Sequence, residues 1–173
     1  AQDLDELISM LNRGEGDLIS HGLTITQERK TYVDFTDYLY LTRQVLVQRK
    51  PDNWRQLPGH KLQQALIQDP IELIGDTVAV RQQSSYLDRI HNLEDELGGQ
   101  IHVDTVGGDV PTGKIIKQVV DGRYKFTVAD RNIAAINASY YPQLDISTPI
   151  SFSQRIAWAV RSNSPDLRAA VNQ

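Results

Sequence analysis

Thr77-Val78-Ala79-Val80-Arg81-Gln82-Gln83-Ser84-Ser85-Tyr86-Leu87 opens the most regular part of the chain and decides its fold class. Thr77 to Val80 is a short apolar, β-branched run that reads as a strand. Ser84 or Ser85 then caps a helix carrying Leu87, Ile90, Leu93 and Leu97, and Gly98-Gly99 stops it. Towards the C-terminus the pattern repeats. Ile101 to Val106 reads as a strand, and Lys114 to Asp121 as a helix with Ile115, Ile116, Val119 and Val120 inward. Tyr124 to Val128 is a strand, Arg131 to Tyr140 a helix, and Leu144-Asp145-Ile146 a short extended piece. Arg155 to Val160 is a strand, and Ser164-Pro165 starts a last helix with Ser at the N-cap and Pro at the first helical position. Strands alternating with helices predict an α/β fold with a mainly parallel sheet and helices on both faces.

Towards the N-terminus the signals thin out. Leu4, Leu7, Ile8 and Leu11 mark one face of a helix, Asp3 with Glu6 reads as its capping box, and Gly14 or Gly16 ends it. Asp17-Leu18-Ile19-Ser20 and Val45-Leu46-Val47, within Arg43–Lys50, read as strands. Residues 51–70 form a connector containing Pro51, Pro58, Gly59 and Pro70, with a helical turn or two at Lys61–Gln68. One helix and two strands in residues 1–50 are too little to bury a lobe, since a βαβ unit takes roughly 30 residues or more. A further strand, helix and strand are therefore expected upstream.

One phrase recurs in outline. Residues 11–18 run helix end, glycine turn, strand, and residues 120–126 do the same. Two α/β units built alike place their strand ends at Gly22-Leu23-Thr24 and at Ala129-Asp130. Open α/β sheets bind ligands at the carboxyl ends of strands. A cleft between two lobes is the expectation.

Composition narrows the function. Lys plus Arg is 18 against 22 Asp plus Glu, a net charge of −4, which argues against a nucleic-acid partner. With no Cys, disulfide scaffolds, cysteine zinc sites and thiol catalysis are excluded. No apolar run approaches the roughly 20 residues of a membrane span. His21, His60, His91 and His102 have no metal-ligand spacing, and neither metal nor cofactor is implied. No pair of carboxylates suits glycoside hydrolysis. Gly107-Gly108-Asp109 lacks the ending of a phosphate loop.

Three groups carry binding chemistry. In Gly22-Leu23-Thr24-Ile25-Thr26-Gln27-Glu28-Arg29, Arg29 offers a planar fork for a carboxylate, Thr24 a hydroxyl, and Gly22 close backbone approach. The plainer reading is a capped turn with Arg29 in a surface ion pair. Ser84 and Ser85 open a helix whose free amides hold a carboxylate, or simply cap it. Asp130, between a strand and a helix, pairs with an ammonium in a cleft, or caps the helix from Arg131. Together the groups match an α-amino acid, whose two charges must each be paired when buried.

The stretch Gly16-Asp17-Leu18-Ile19, Gly22 to Arg29 and Val33-Asp34-Phe35-Thr36 resembles the periplasmic solute-binding proteins of the polar amino-acid type, family 3. The resemblance covers nearly the whole chain outside 51–70. Val78 to Arg81, Ser84-Ser85-Tyr86, Tyr124 to Asp130 and Gln154 to Arg161 resemble, within that family, the regulatory domains of the membrane-bound lytic murein transglycosylase F group. In that group a solute-binding-like domain precedes a murein-cleaving domain.

The resemblance implies a two-lobed type II fold with hinge strands. Lobe one is 1–50 plus 153–173, incomplete at its N-terminus, and lobe two is 51–152. It implies that Arg29 holds a ligand carboxylate with Thr24 and the Gly22 carbonyl, that Ser84 or Ser85 adds to it, and that Asp130 takes the ammonium. The ligand is then an amino acid, a peptide or a muropeptide. The chain is non-enzymatic and periplasmic, with a C-terminal murein-cleaving domain as partner. Gln83 departs from the glycine usual before the hydroxyl pair, which is expected to crowd the second lobe's contact. Two other outputs fit the same fold: a free amino-acid receptor of an ABC importer, and a dehydratase-type enzyme, for which Asp130 is the best acid.

Overall fold

The structure, a computed structural model, describes residues 4–173. The capping box read at Asp3 lies outside the described residues. By internal contacts the chain divides into two compact units, residues up to Thr42 with Ser153–Gln173, and Arg43–Phe152.

The first unit contains α1 (Leu4–Arg13), β1 (Leu18–Thr24), β2 (Asp34–Phe35) and β3 (Tyr40–Thr42). In the second unit lie β4 (Gln44–Arg49), α2 (Gly59–Gln64), β5 (Thr77–Arg81), α3 (Ser85–Leu97), β6 (His102–Val106), α4 (Thr112–Val120), β7 (Phe126–Asp130), α5 (Arg131–Tyr140) and β8 (Leu144–Asp145). The chain then returns to the first unit with β9 (Gln154–Val160) and α6 (Pro165–Val171).

In the first unit, β9 is the central strand. β1 pairs antiparallel along one edge, while β2 and β3 follow one another on β9 as further antiparallel partners. α1 packs Ile8 and Leu11 with Ile19, Leu23, Val33 and Ala159. The β1 register slips between Ile19, opposite Ala159, and Leu23, opposite Ala157. The segment Ser20-His21-Gly22 therefore stands opposite Trp158 alone. Such a bulge re-aims the strand's end, and it places Gly22 just before Thr24.

In the second unit the sheet order is β6-β5-β7-β4-β8. Even-numbered residues of β4 and β7, with Val78 and Val80, face α3, where Leu46 and Val128 pack on Tyr86, Ile90 and Leu93. Odd-numbered Val45, Val47 and Ala129 pack on the opposite face with Ile116, Val119 and Ala134 of α4 and α5. Helices thus cover both faces of this sheet, each fixed by the period-two alternation of its strands.

Two expectations are corrected. Parallel pairing is confined to β6-β5-β7, whereas every other described pair is antiparallel. The parallel strands are those joined by the crossovers β5-α3-β6 and β6-α4-β7, and parallel neighbours need such a crossover of about a dozen residues or more. The second correction concerns Arg43–Lys50, read as the last strand of lobe one. As β4, it is hydrogen-bonded to β7 and β8 inside the second unit, and the division between the units falls at Thr42/Arg43. Among the described residues, no helix is long and apolar enough to cross a membrane.

Candidate functional site

The three first-unit residues sit together at the end of β1. Thr24 is buried, and its carbonyl accepts a hydrogen bond from Arg29 Nη1 at 3.1 Å. Arg29 opens a 3-10 turn, Arg29–Thr31, and its amide donates to Thr26 Oγ1 at 3.2 Å. Thr26 thus closes a turn onto Arg29, and the half-buried Arg29 side chain bonds the Thr24 carbonyl at the strand's end. Gly22 is small for a packing reason as well. A Cβ there would stand 3.0 Å from Ile156 Cγ2 and 3.2 Å from Tyr40 Oη.

The second unit gathers its residues where α3 begins over the ends of β4 and β7. Ser84 is the N-cap of α3. Its Oγ accepts from the Leu87 amide at 3.4 Å and donates to the Arg81 carbonyl at 2.6 Å. Gln83, immediately before, has φ 50°. The position where the resemblance leads to expect glycine thus has the left-handed backbone that favours glycine. Ser85 is the first residue of the helix, and its Oγ accepts from Gln44 Nε2 at 3.2 Å.

Asp130 ends β7 and precedes α5, but its side chain makes no capping hydrogen bond to that helix. The cap reading is corrected here. The side chain lies instead on the α3 face, where Oδ1 is buried and has no donor. Burial raises the carboxyl from an ordinary 3.8 to about 6, against the opposing hydrogen bond from Tyr86. Burial, and then the Asp130 charge, push the Tyr86 hydroxyl up to about 12. The Asp130 amide also donates to Tyr86 Oη at 3.4 Å. Tyr86 therefore stays a neutral phenol and holds Asp130 at the sheet end.

Gln44 and Tyr86 were not singled out from the sequence. Gln44 is fully buried directly opposite Asp130 on β4. The available signal was Gln44-Val45-Leu46-Val47-Gln48, in which two glutamines share a strand face with a core leucine.

A cleft of about 610 Å³ in this unit has Gln48, Arg49, Leu66, Val119 and Phe126 in its wall. It lies at the other end of the β4–β7 ladder, where Gln48 pairs with Phe126. None of the residues expected to bind a ligand lines it. Two of its cations, Arg49 and Lys125, are engaged by Asp52 and Asp76.

The first unit thus holds a guanidinium fork at the end of β1, and the second a helix start beside a buried carboxylate. The chain belongs to the bacterial extracellular solute-binding proteins, family 3, whose pattern matches residues 1–173. It is 35% identical over 98% of its length to a membrane-bound lytic murein transglycosylase F of Desulfosudis oleivorans, of which it covers 34%. The chain spans about a third of the length of the curated relatives it matches. Among solved structures it resembles an ancestral arginine-binding protein bound to arginine (TM-score 0.77, 25% identity, covering 98% of this chain and 69% of that one). It also resembles holo ArgBP from T. maritima (TM-score 0.74, 28% identity, covering 98% and 67%). The expected α/β solute-binding fold is the one this chain has.

Proposed function

We propose that this chain is a periplasmic ligand sensor that takes a free amino acid or a murein-derived peptide and regulates a lytic transglycosylase domain carried by the same polypeptide. The observation that carries the ligand class is Asp130 Oδ1, a buried carboxylate oxygen with no donor at the carboxyl end of a strand. Such an oxygen asks for a cationic N–H partner.

In this reading the ligand ammonium goes to Asp130. The ligand carboxylate goes to Arg29, with Thr24, the Gly22 carbonyl and Ser84 or Ser85 completing its surroundings. Ser85 is the better placed of the two serines, because the Ser84 hydroxyl already donates to Arg81. The arginine-bound and transglycosylase relatives support the two halves of the reading, ligand and output. The chain itself binds and does not cleave.

The output is tested on a polypeptide that joins this chain to its murein-cleaving domain. The rate of murein cleavage should change at least severalfold when an amino acid or stem peptide that binds here is saturating, and Arg29→Ala should remove that response. An unchanged rate at saturation would overturn the regulatory role. A free receptor for an importer would then be the remaining reading of the same pocket.

A further inference from the structure

β4 carries two buried glutamines on one face, and they differ in one respect. Gln48 has every polar atom engaged. Its Oε1 accepts from the Ile67 amide at 2.9 Å, and its Nε2 donates to the Ile67 carbonyl at 2.9 Å and to Asp145 Oδ1 at 3.1 Å. Gln44, with no exposed surface, has a donor side that is spent and an acceptor side that is not. Its Nε2 donates to the Ser85 carbonyl at 3.3 Å and to Ser85 Oγ at 3.2 Å, whereas its Oε1 is buried without a donor. The Ser85 carbonyl is an acceptor only, so it fixes which end of the amide faces the helix.

The second undonated acceptor of this face is its cross-strand partner. Gln44 and Asp130 are opposed in the β4–β7 register. The Arg131 amide bonds the Arg43 carbonyl, while the Gln44 carbonyl is turned away to the Ile150 amide. Gln44 and Asp130 are therefore a non-hydrogen-bonded pair, the closer of the two antiparallel arrangements for side chains. Leaving a buried acceptor without a donor costs about 1–3 kcal/mol. Two such acceptors on adjacent side chains ask for one donor group with two hydrogens.

Resting on the function proposed above, we infer that Gln44 is a specificity-determining residue. With Asp130 it selects a ligand nitrogen that carries a positive charge and at least two hydrogens. The ligand is then a free primary or secondary amine, as in an amino acid or a stem peptide with an open N-terminus. An N-acylated muropeptide has one hydrogen and no charge on that nitrogen, so it leaves one acceptor unmet and gives the Asp130 carboxylate no cation.

The test is calorimetric titration at pH 8 with L-arginine and with L-alanyl-γ-D-glutamate, each also as its Nα-methyl, Nα,Nα-dimethyl and Nα-acetyl form. The free amine and the Nα-methyl form, each with two hydrogens or more, should bind within about threefold of one another. The dimethyl form, charged but with one hydrogen, should bind about tenfold more weakly, and the acetyl form more weakly still. Gln44→Met should weaken the free amine about tenfold and leave the dimethyl form unchanged. The methylation series in the unsubstituted protein needs no variant, and so decides the matter even if Gln44→Met does not fold. Equal binding of the methyl and dimethyl forms, or equal weakening of all forms by Gln44→Met, would overturn the inference. Either result, with binding still abolished by Arg29→Ala, leaves the broader reading intact. No heat with any probe would sink both.

Discussion

Gln44 and Asp130 face one another across β4 and β7, and each presents a buried oxygen that no described group donates to. Beside them, Ser85 receives the Gln44 amide and Tyr86 holds the Asp130 backbone and carboxylate. One end of one sheet thus combines an unmet demand for N–H donors with the start of a helix. Between that end and the cleft at Gln48, the sheet packs apolar side chains on both faces.

The Asp130 carboxyl makes stability fall as pH rises. Its folded pKa of about 6 lies above the ordinary 3.8. Below about pH 4 it is neutral in both states and costs nothing. Between pH 4 and 6 the unfolded chain ionises first and stability declines. Above pH 6 the penalty is complete, at about 3 kcal/mol at most. Asp130→Asn is therefore expected to raise the melting temperature at pH 8 and to leave it unchanged at pH 4. Thermal unfolding at both pH values checks this, and a variant less stable at pH 8 would contradict it.

The same carboxyl sets the pH response of binding. An ammonium ligand needs Asp130 ionised, so affinity should fall as pH drops below about 6. Titrations at pH 5 and pH 8 with one amino acid give the comparison. Asp130→Asn should bind weakly at both and show no pH dependence across that interval.

Gln48 offers the structural contrast to Gln44. Gln48→Met leaves the Ile67 amide without its partner, while the Ile67 carbonyl keeps the Thr148 Oγ1 donor at 2.7 Å. A loss of about 1–3 kcal/mol in denaturant unfolding is expected. Ligand affinity per folded molecule should not change.

Gln83 and Gly22 test the backbone beside Ser84 and Thr24. Gln83 at φ 50° bears a left-handed cost of about 1 kcal/mol. Gln83→Val should lose about another 1 kcal/mol, whereas Gln83→Gly should be at least as stable as the natural chain. Gly22→Ala pushes a methyl against Ile156 at 3.0 Å and should cost about 1–2 kcal/mol. Gly16→Ala, where the added carbon meets nothing within 4 Å, should not.

The helices were legible because their apolar periodicity and stops are local. α3 starts after Ser84 and ends at Gly98, which has φ 65°. Strand partners were not legible, because β2 and β3 are two and three residues long and owe their existence to β9, more than a hundred residues away. The motif at Gly22 to Arg29 could be read because its parts are neighbours in sequence. Gln44 could not be placed beside Asp130, since only the fold brings β4 and β7 together. Asp130 looked like a helix cap because its sequence position is that of one, and burial on the α3 face is what redirects it.

The central claim is most directly tested by a thermal-shift screen of single amino acids, murein stem peptides and muropeptides against the chain and its Arg29→Ala variant at pH 8. The account predicts a rise in melting temperature with at least one free-amine ligand, and its loss in Arg29→Ala. A screen with no shift for any free amine, or a shift that survives Arg29→Ala undiminished, would contradict it.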